Sequence, residues 1–484
     1  MLPLGQAESP DKDEGCAMEL PIIAPAPVVT EHAAVFRDVF ENQCQFRHFQ
    51  HYLTGLIVLP NKSMANLARC LLESADKTNL SRFLSEAPWR EDEVNRRRIR
   101  FMLQQTKPHR RRLRESLLAI DDTLCEHVGS LFDYVDRHYN HSNGTYPLAH
   151  NPVTGFYVSG PVRFPVGLRL YRRYEELTQW EAYVAKHFPD LKIPTEKKAR
   201  NRLHKQVDPV LLQDPEFQAR HEQFRTKIAL AMELVEEAIR SKVPFGVVVF
   251  DAWYLAEDVV RGLARRRKDW VSLLKTNRLL ETASFQMRDI NGWAMKLPGP
   301  HIAVEELVPL IPANAYRPVT VGEHTYWCFT LRVRIPGLGK VRIVVSFETE
   351  QLTGRSVVLV ANRVDWSAAK IIGLYWQRWP TETFYQDSKG QLGFNEYRMR
   401  SAEAMGQQWC LVFVAYSLLH LTCLPAVPDR TKHLIQSIGD ACRQQGRALL
   451  QQLLVFVHDR LSSGATVDHV FAYLFAKKRG IAPA

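Results

Sequence analysis

Two short apolar runs, each closing on an acid, constrain this 484-residue chain more than any other feature. Ser116-Leu-Leu-Ala-Ile runs into Asp121-Asp122, and Phe245-Gly-Val-Val-Val-Phe250 runs into Asp251. Short, continuously apolar stretches of this kind read as buried strands. Strand ends open onto crevices, so acids at the C-terminal ends of neighbouring strands lie close together. The expected fold class is α/β, with two acids gathered at one sheet edge.

A third acid stands in residues 375–389, YWQRWPTETFYQDSK. On a helix, the spacing of Tyr375, Arg378, Glu382 and Lys389 lines up a hydroxyl, a carboxylate and two cations on one face. Such a stripe by itself is more often an ordinary solvated face. Pro380 starts a new turn inside the stretch. Tyr375 then falls on one segment and Glu382 in the first turn of the next, where the helix dipole favours a carboxylate. Three carboxylates brought together raise one another's pKa. A pair of Mg²⁺ ions relieves that repulsion with few protein ligands each, and two ions about 4 Å apart suit in-line phosphoryl displacement.

The rest of the chain fits around this set. Residues 1–30, acidic and then Pro/Ala-rich, are expected to be a disordered lead-in. Residues 31–115 are expected to be a helical, basic DNA-binding region, broken at Pro60, near Thr78 and at Pro88. It closes on residues 90–115, with ten Arg or Lys against four acids. Arg96, Arg97, Arg98, Arg110, Arg111 and Arg112 are the candidates there for phosphate contact, with a solvated helix face as the alternative.

Residues 116–300 are expected to hold the first part of the core. TGFYVS and VRFPVGLRLY read as strands, the second an edge or bulged strand because of Pro165. EKKARNRLHK reads as a basic connection and residues 216–242 as one long helix. The 301–362 segment alternates apolar with polar residues between Gly/Pro turns and reads as a β-rich insertion. Residues 363–425 return to the core with Glu382, and residues 426–484 read as a helical C-terminal region ending in Lys477-Lys478-Arg479.

Composition narrows the function classes. The apolar fraction of 46% excludes wholesale disorder, and a net charge of +11 suits a polyanionic partner. None of the eight cysteines forms a CxxC pair or has a histidine at zinc spacing. Several lie in apolar runs and read as buried free thiols of a reducing compartment. No signal-peptide layout is present, and the most apolar run is too short for a bilayer, so no membrane partner is expected.

The pattern Y-(2)-R-(3)-E-(6)-K, filled by Tyr375, Arg378, Glu382 and Lys389, resembles the signature of DDE transposases from bacterial insertion sequences. Asp121-Asp122-Thr123 is similar to that family's D-x-T, Asp251 to its second acid, and the β-rich segment to its insertion. The resemblance covers residues 36 to 421. The acids alone leave Asp121 and Asp122 undecided, since both flanking faces are apolar; the family form favours Asp121, with Asp122 the alternative.

The resemblance implies an RNase H-like catalytic core interrupted by a β-rich insertion, with Asp121, Asp251 and Glu382 holding two Mg²⁺ ions that Mn²⁺ can replace. It implies cut-and-paste transposition, in which DNA is cleaved at the terminal inverted repeats and the 3′-OH ends are joined to target DNA. Tyr375, Arg378 and Lys389 are then contacts to DNA backbone, and Trp379 or Trp327 a stacking surface for a flipped base. A homodimer on double-stranded DNA and a bacterial cytoplasmic, nucleoid-associated setting follow from the same resemblance. An immobile or domesticated DDE-type nuclease or DNA-binding protein is the alternative. A helical regulator with an unrelated ligand domain leaves the three acids unexplained.

Overall fold

A computed structural model describes residues 20–72, 77–140, 142–424 and 437–475. Most of the expected lead-in and the Lys477-Lys478-Arg479 tail lie outside these residues. Where it is described, the lead-in is ordered. Ile22 bridges to Leu71 through backbone hydrogen bonds, and Ala26, Val28 and Val29 are buried in or beside helix α1 (Pro27–His32). The expectation of disorder is corrected for this stretch: its apolar residues cover the helices that follow, and that burial offsets the cost of ordering them.

Those helices are α2 (Gln43–Val58), α3 (Met64–Cys70), α4 (Lys77–Ser85) and α5 (Glu91–Gln105). Asn42 and Ser63 cap α2 and α3 by accepting backbone N–H bonds, and α5 opens on three acids that complement its dipole.

Strand β1 (Leu117–Asp122) is central to an eleven-stranded sheet. After it come β2 (Cys125–His127), β3 (Asp136–Arg137), β4 (Leu148–Ser159) and β5 (Val162–Tyr171). β4 lies antiparallel to β1 and β5 antiparallel to β4. β5 is an edge strand whose register shifts where Phe156 pairs with Pro165, as a residue with no N–H requires.

A helical module separates β5 from the next strand: α6 (Tyr174–Thr178), α7 (Trp180–His187), α8 (Lys197–Leu211) and α9 (Pro215–Gln223). Trp180, Tyr183, Val184, Leu203, Val207, Leu211 and Phe217 form a core of its own. The expected basic connection is therefore a helix. The single helix expected over residues 216–242 is two, because the Thr226 hydroxyl accepts from Ala229 N–H and starts α10 (Lys227–Arg240) afresh.

Strand β6 (Val247–Phe250), helix α11 (Glu257–Arg265) and strand β7 (Asp269–Leu273) continue the core, with β1, β6 and β7 parallel. A separate hairpin-like pair, β8 (Leu279–Glu281) with β9 (His301–Ala303), and the short helix α12 (Val304–Leu307) precede the β-rich segment. Its strands β10 (Arg317–Val321), β11 (His324–Ile335), β12 (Gly339–Phe347) and β13 (Val357–Ala361) carry the main sheet outward, β13 pairing with β7. They share one sheet with the core.

The chain closes with α13 (Ala368–Trp376), α14 (Trp379–Gln391), α15 (Ala402–Cys423), α16 (Ile438–Ser462) and α17 (Val467–Phe475). α15 is apolar nearly all round and runs through the core. Among the described residues no helix is long and apolar enough to cross a membrane, and all the cysteines are free thiols.

Candidate active site

Parallel pairing sets Ile120 opposite Phe250, so the residues that follow, Asp121 and Asp251, leave the same end of the sheet side by side. The pleat separates Asp121 from Asp122, since successive side chains point to opposite faces. Asp122 turns toward α10. Its carboxylate accepts from Lys227 Nζ at 2.7 Å, Tyr254 Oη at 2.7 Å and Asn151 Nδ2 at 3.0 Å. Burial works to raise its pKa, but Lys227 and these hydrogen bonds outweigh it and hold the carboxyl below its ordinary value.

Asp121 turns toward α14. There Arg378, at the N-terminal cap of α14, donates to both Asp121 and Glu382 and lies over the Tyr375 ring, 5.7 Å from its centroid. The helix break at Gln377 makes this possible: Tyr375 lies in the last turn of α13, and Glu382 sits in the first turn of α14 behind Pro380. The Arg378 side chain is 16% exposed, and its buried Nε has no hydrogen-bond partner among the described residues. Burial works against its charge, yet Asp121, Tyr375 and Glu382 outweigh that and raise its pKa.

The acids are short of positive charge even so. Burial pushes the Asp121 carboxyl up to about 7, with Asp122 and Asp251 adding to the rise and Arg378 opposing it. Burial raises Asp251 as well. Carboxylate oxygens in such a cluster are the donor chemistry of a hard divalent cation. In this arrangement Arg378 stands between Asp121 and Glu382, and no three acid, histidine or cysteine side chains among the described residues meet at one metal-holding point.

Lys389 reaches the same end from the last turn of α14. Its ammonium donates to Thr123 Oγ1 and the Leu124 carbonyl, both at 2.7 Å, and so ties α14 to the turn after β1. Burial lowers its pKa, against the pull of Cys125 and Glu126. Trp379 is 58% exposed at the start of α14, whereas Trp327 is half-buried within β11. Trp253 was not anticipated. It lies two residues past Asp251, is 56% exposed, donates its backbone N–H to Asp251 Oδ1 at 2.9 Å, and has Lys275 Nζ 5.2 Å from its ring. An aromatic just beyond a strand-terminal acid was the available signal.

The basic tract is not at this end. Arg98 is fully buried, donating to Asn95 Oδ1, Ser417 Oγ and the Pro165 carbonyl, and its expected role as a phosphate contact is corrected. α5 packs that face against β5 and α15, which removes it from any ligand. Arg96 and Arg97 pair with Asp92 and Glu93 one turn earlier. Arg110, Arg111 and Arg112 lie near the start of β1, where Arg111 N–H donates to Ser159 Oγ.

Comparison with known proteins places the chain in a family. The model of the DDE superfamily endonucleases matches residues 35–287, just over half of the chain, and that of the transposase DDE domain matches residues 224–418. The chain belongs to the DDE superfamily of endonucleases. Within it, the chain groups with the DDE transposases of bacterial insertion sequences. It is similar to the probable transposase for insertion sequence element IS701 of Microchaete diplosiphon, with 26% identity over 159 residues, 33% of this chain. The match spans 40% of that relative's length.

Proposed function

We propose that this protein is a metal-dependent DNA endonuclease and strand transferase that cuts the ends of an insertion sequence and joins the 3′-OH ends to target DNA. The observation that carries the reading is the convergence of strand-terminal Asp121 and Asp251 with Glu382 through Arg378. In this reading the sheet from β5 through β7, with the helices that cover it, is an RNase H-like core. It divides into residues 116–300 and 363–425, with residues 301–362 inserted between. Residues 31–115 form a DNA-binding region and residues 426–484 a C-terminal helical region.

Asp121, Asp251 and Glu382 would hold the divalent cations, Mg²⁺ with Mn²⁺ able to substitute. When bound, two such ions neutralise the attacking and leaving oxygens of a phosphoryl displacement. Asp122 plays a different part. Held by Lys227, Tyr254 and Asn151, it fixes the end of β1 so that Asp121 keeps its direction. Arg378 balances the carboxylates in the free protein and turns to the DNA backbone with Tyr375 when phosphate arrives, since a guanidinium pairs with either anion in the same forked geometry. Lys389 holds the turn after β1 in place and offers a second cation to the DNA backbone at this end of the sheet. Exposed Trp379 offers a face to an unstacked base. Of the basic tract, Arg96, Arg97, Arg110, Arg111 and Arg112 remain candidates for more distant backbone contact. The partners in this reading are terminal inverted repeats and target DNA, bound by a homodimer at the bacterial nucleoid.

The test is strand nicking of duplex DNA carrying the element's terminal inverted repeats, with and without Mg²⁺. Cleavage that needs the metal and disappears in Glu382→Gln supports the proposal. Tight binding with no cleavage under any divalent metal would overturn it in favour of an immobile DNA-binding relative.

A further inference from the structure

The basic residues of α8 divide sharply by face. On the inner face Arg200 pairs with Glu175 and Glu181, and His204 lies between Glu175 and Asp208. On the outer face Lys198, Arg202 and Lys205 follow one another at helical spacing, all exposed, with Asn201 among them. None of these three forms an ion pair among the described residues. The neighbouring acid, Glu196, is engaged in capping α8 through Lys198 N–H. In α5, by contrast, exposed Arg96 and half-buried Arg97 already have carboxylate partners. Of the ten cations in the longer basic tract, Arg90, Arg96 and Arg97 are thus paired with carboxylates and Arg98 is spent inside the fold, while Arg110, Arg111 and Arg112 lie at the other end of β1 from the candidate site.

The module that carries α8 is attached at the carboxylate end of the sheet. It leaves β5 through Arg172 and Arg173, which are clamped by the buried Asp136 carboxylate: Arg172 Nε donates at 3.0 Å and Arg173 N–H at 2.9 Å. It returns through Lys227, whose ammonium is 2.7 Å from Asp122 Oδ2 and 5.2 Å from the Tyr171 ring centroid. Both connections are therefore pinned next to the candidate site. A folded unit of about 50 residues has a radius of gyration near 10 Å. Its surface consequently stays within about one turn of duplex, roughly 34 Å, of the point of attachment.

We propose that the outer face of α8 is a docking surface for the phosphate backbone of duplex DNA, holding the duplex beside the carboxylates. The proposal rests on the reading of the chain as a DNA-cutting enzyme and adds to it the element that grips the flanking duplex. Three cations without internal partners release counterions on meeting phosphates, whereas arginines already paired must first give up a carboxylate. The contact is independent of sequence, since lysine and arginine on a helix face meet the backbone and not base edges.

The experiment uses the full chain and a labelled random-sequence duplex of about four helical turns. Binding is followed by fluorescence anisotropy at several salt concentrations for the wild type and for the triple variant Lys198→Gln, Arg202→Gln, Lys205→Gln. The variant is expected to bind about tenfold more weakly at low salt, with a log–log salt slope shallower by up to about 3. Its thermal unfolding should be unchanged, because none of the three side chains enters the module core. Arg240→Gln with Lys242→Gln, exposed at the end of α10 opposite Lys227, serves as the comparison for loss of charge alone. Wild-type affinity and slope in the triple variant would overturn the α8 assignment while leaving the endonuclease reading intact. An equal loss in the comparison variant, or a change of oligomeric state confined to the triple variant, would also overturn it. Failure of the wild type to bind duplex at all removes both readings together.

Discussion

At the scale of single residues, the division of labour between Asp121 and Asp122 is the sharpest outcome. Adjacent in sequence, they are separated by the pleat: one faces Arg378 and Glu382, the other a closed set of three donors. Asp121→Asn should therefore abolish nicking with little change in stability. Asp122→Asn should cost about 3 kcal/mol, because it leaves Lys227 as a half-buried charge without its partner. Urea unfolding and the nicking assay on both variants separate the two. Arg98 carries a parallel lesson. Arg98→Ala should destabilise the fold by about 3 kcal/mol while leaving duplex affinity as it was, since its hydrogen bonds all end inside the protein. Equal affinity loss and unchanged unfolding would reverse that assignment. Asp251→Asn belongs with Asp121→Asn: binding retained, cleavage gone.

Elements respond as units, and the α6–α9 module contains a titratable one. His204 lies over Trp180 with ring centroids 4.0 Å apart and is held by Glu175 and Asp208. Burial alone would lower its pKa, but these two carboxylates outweigh burial and raise it to about 9 from an ordinary 6.5. The stabilisation is fully present below about 6.5 and is lost as pH rises through about 9. Tryptophan-detected melts should show the module weakening across that window, and His204→Gln should flatten the dependence. A wild-type profile that is level from pH 6 to about 10 would show that the ion pairs do not report on the module's folding. The break between α13 and α14 is the other element-level device. It converts a sequence stripe into a cap, with Arg378 at the end of one helix and free to face both Asp121 and Glu382.

For the whole molecule, the β-rich segment joins the main sheet through β13 and β7 instead of standing apart. Deleting residues 301–362 should therefore unfold the chain, because it strips an edge from β7 and exposes a buried strand. A trimmed protein that still melts cooperatively and keeps its circular dichroism per residue would show that the segment is separable. The large sheet also explains how the candidate site at residues 121, 251 and 382 can be rigid: parallel pairing of β1 and β6 places two of the acids, and Arg378 at the start of α14 links Asp121 to the third.

Much of this was legible without a structure, for identifiable reasons. Apolar runs that end on acids announce strands whose ends matter, and the spacing from Tyr375 to Lys389, with Pro380 inside it, announces a broken polar face. Such features depend on residues near one another in the chain. What sequence could not decide depends on partners far away in it. Arg98 looks like its neighbours until α15 and β5 close over it. The residues 197–205 look like a connection until Trp180 and Phe217 bury the other side of their helix. Asp121 and Asp122 are equivalent until α10 and α14 take opposite faces of one strand. Local pattern determined the elements and the candidate chemistry; only tertiary packing decided which charges were spent inside the fold and which remained on its surface.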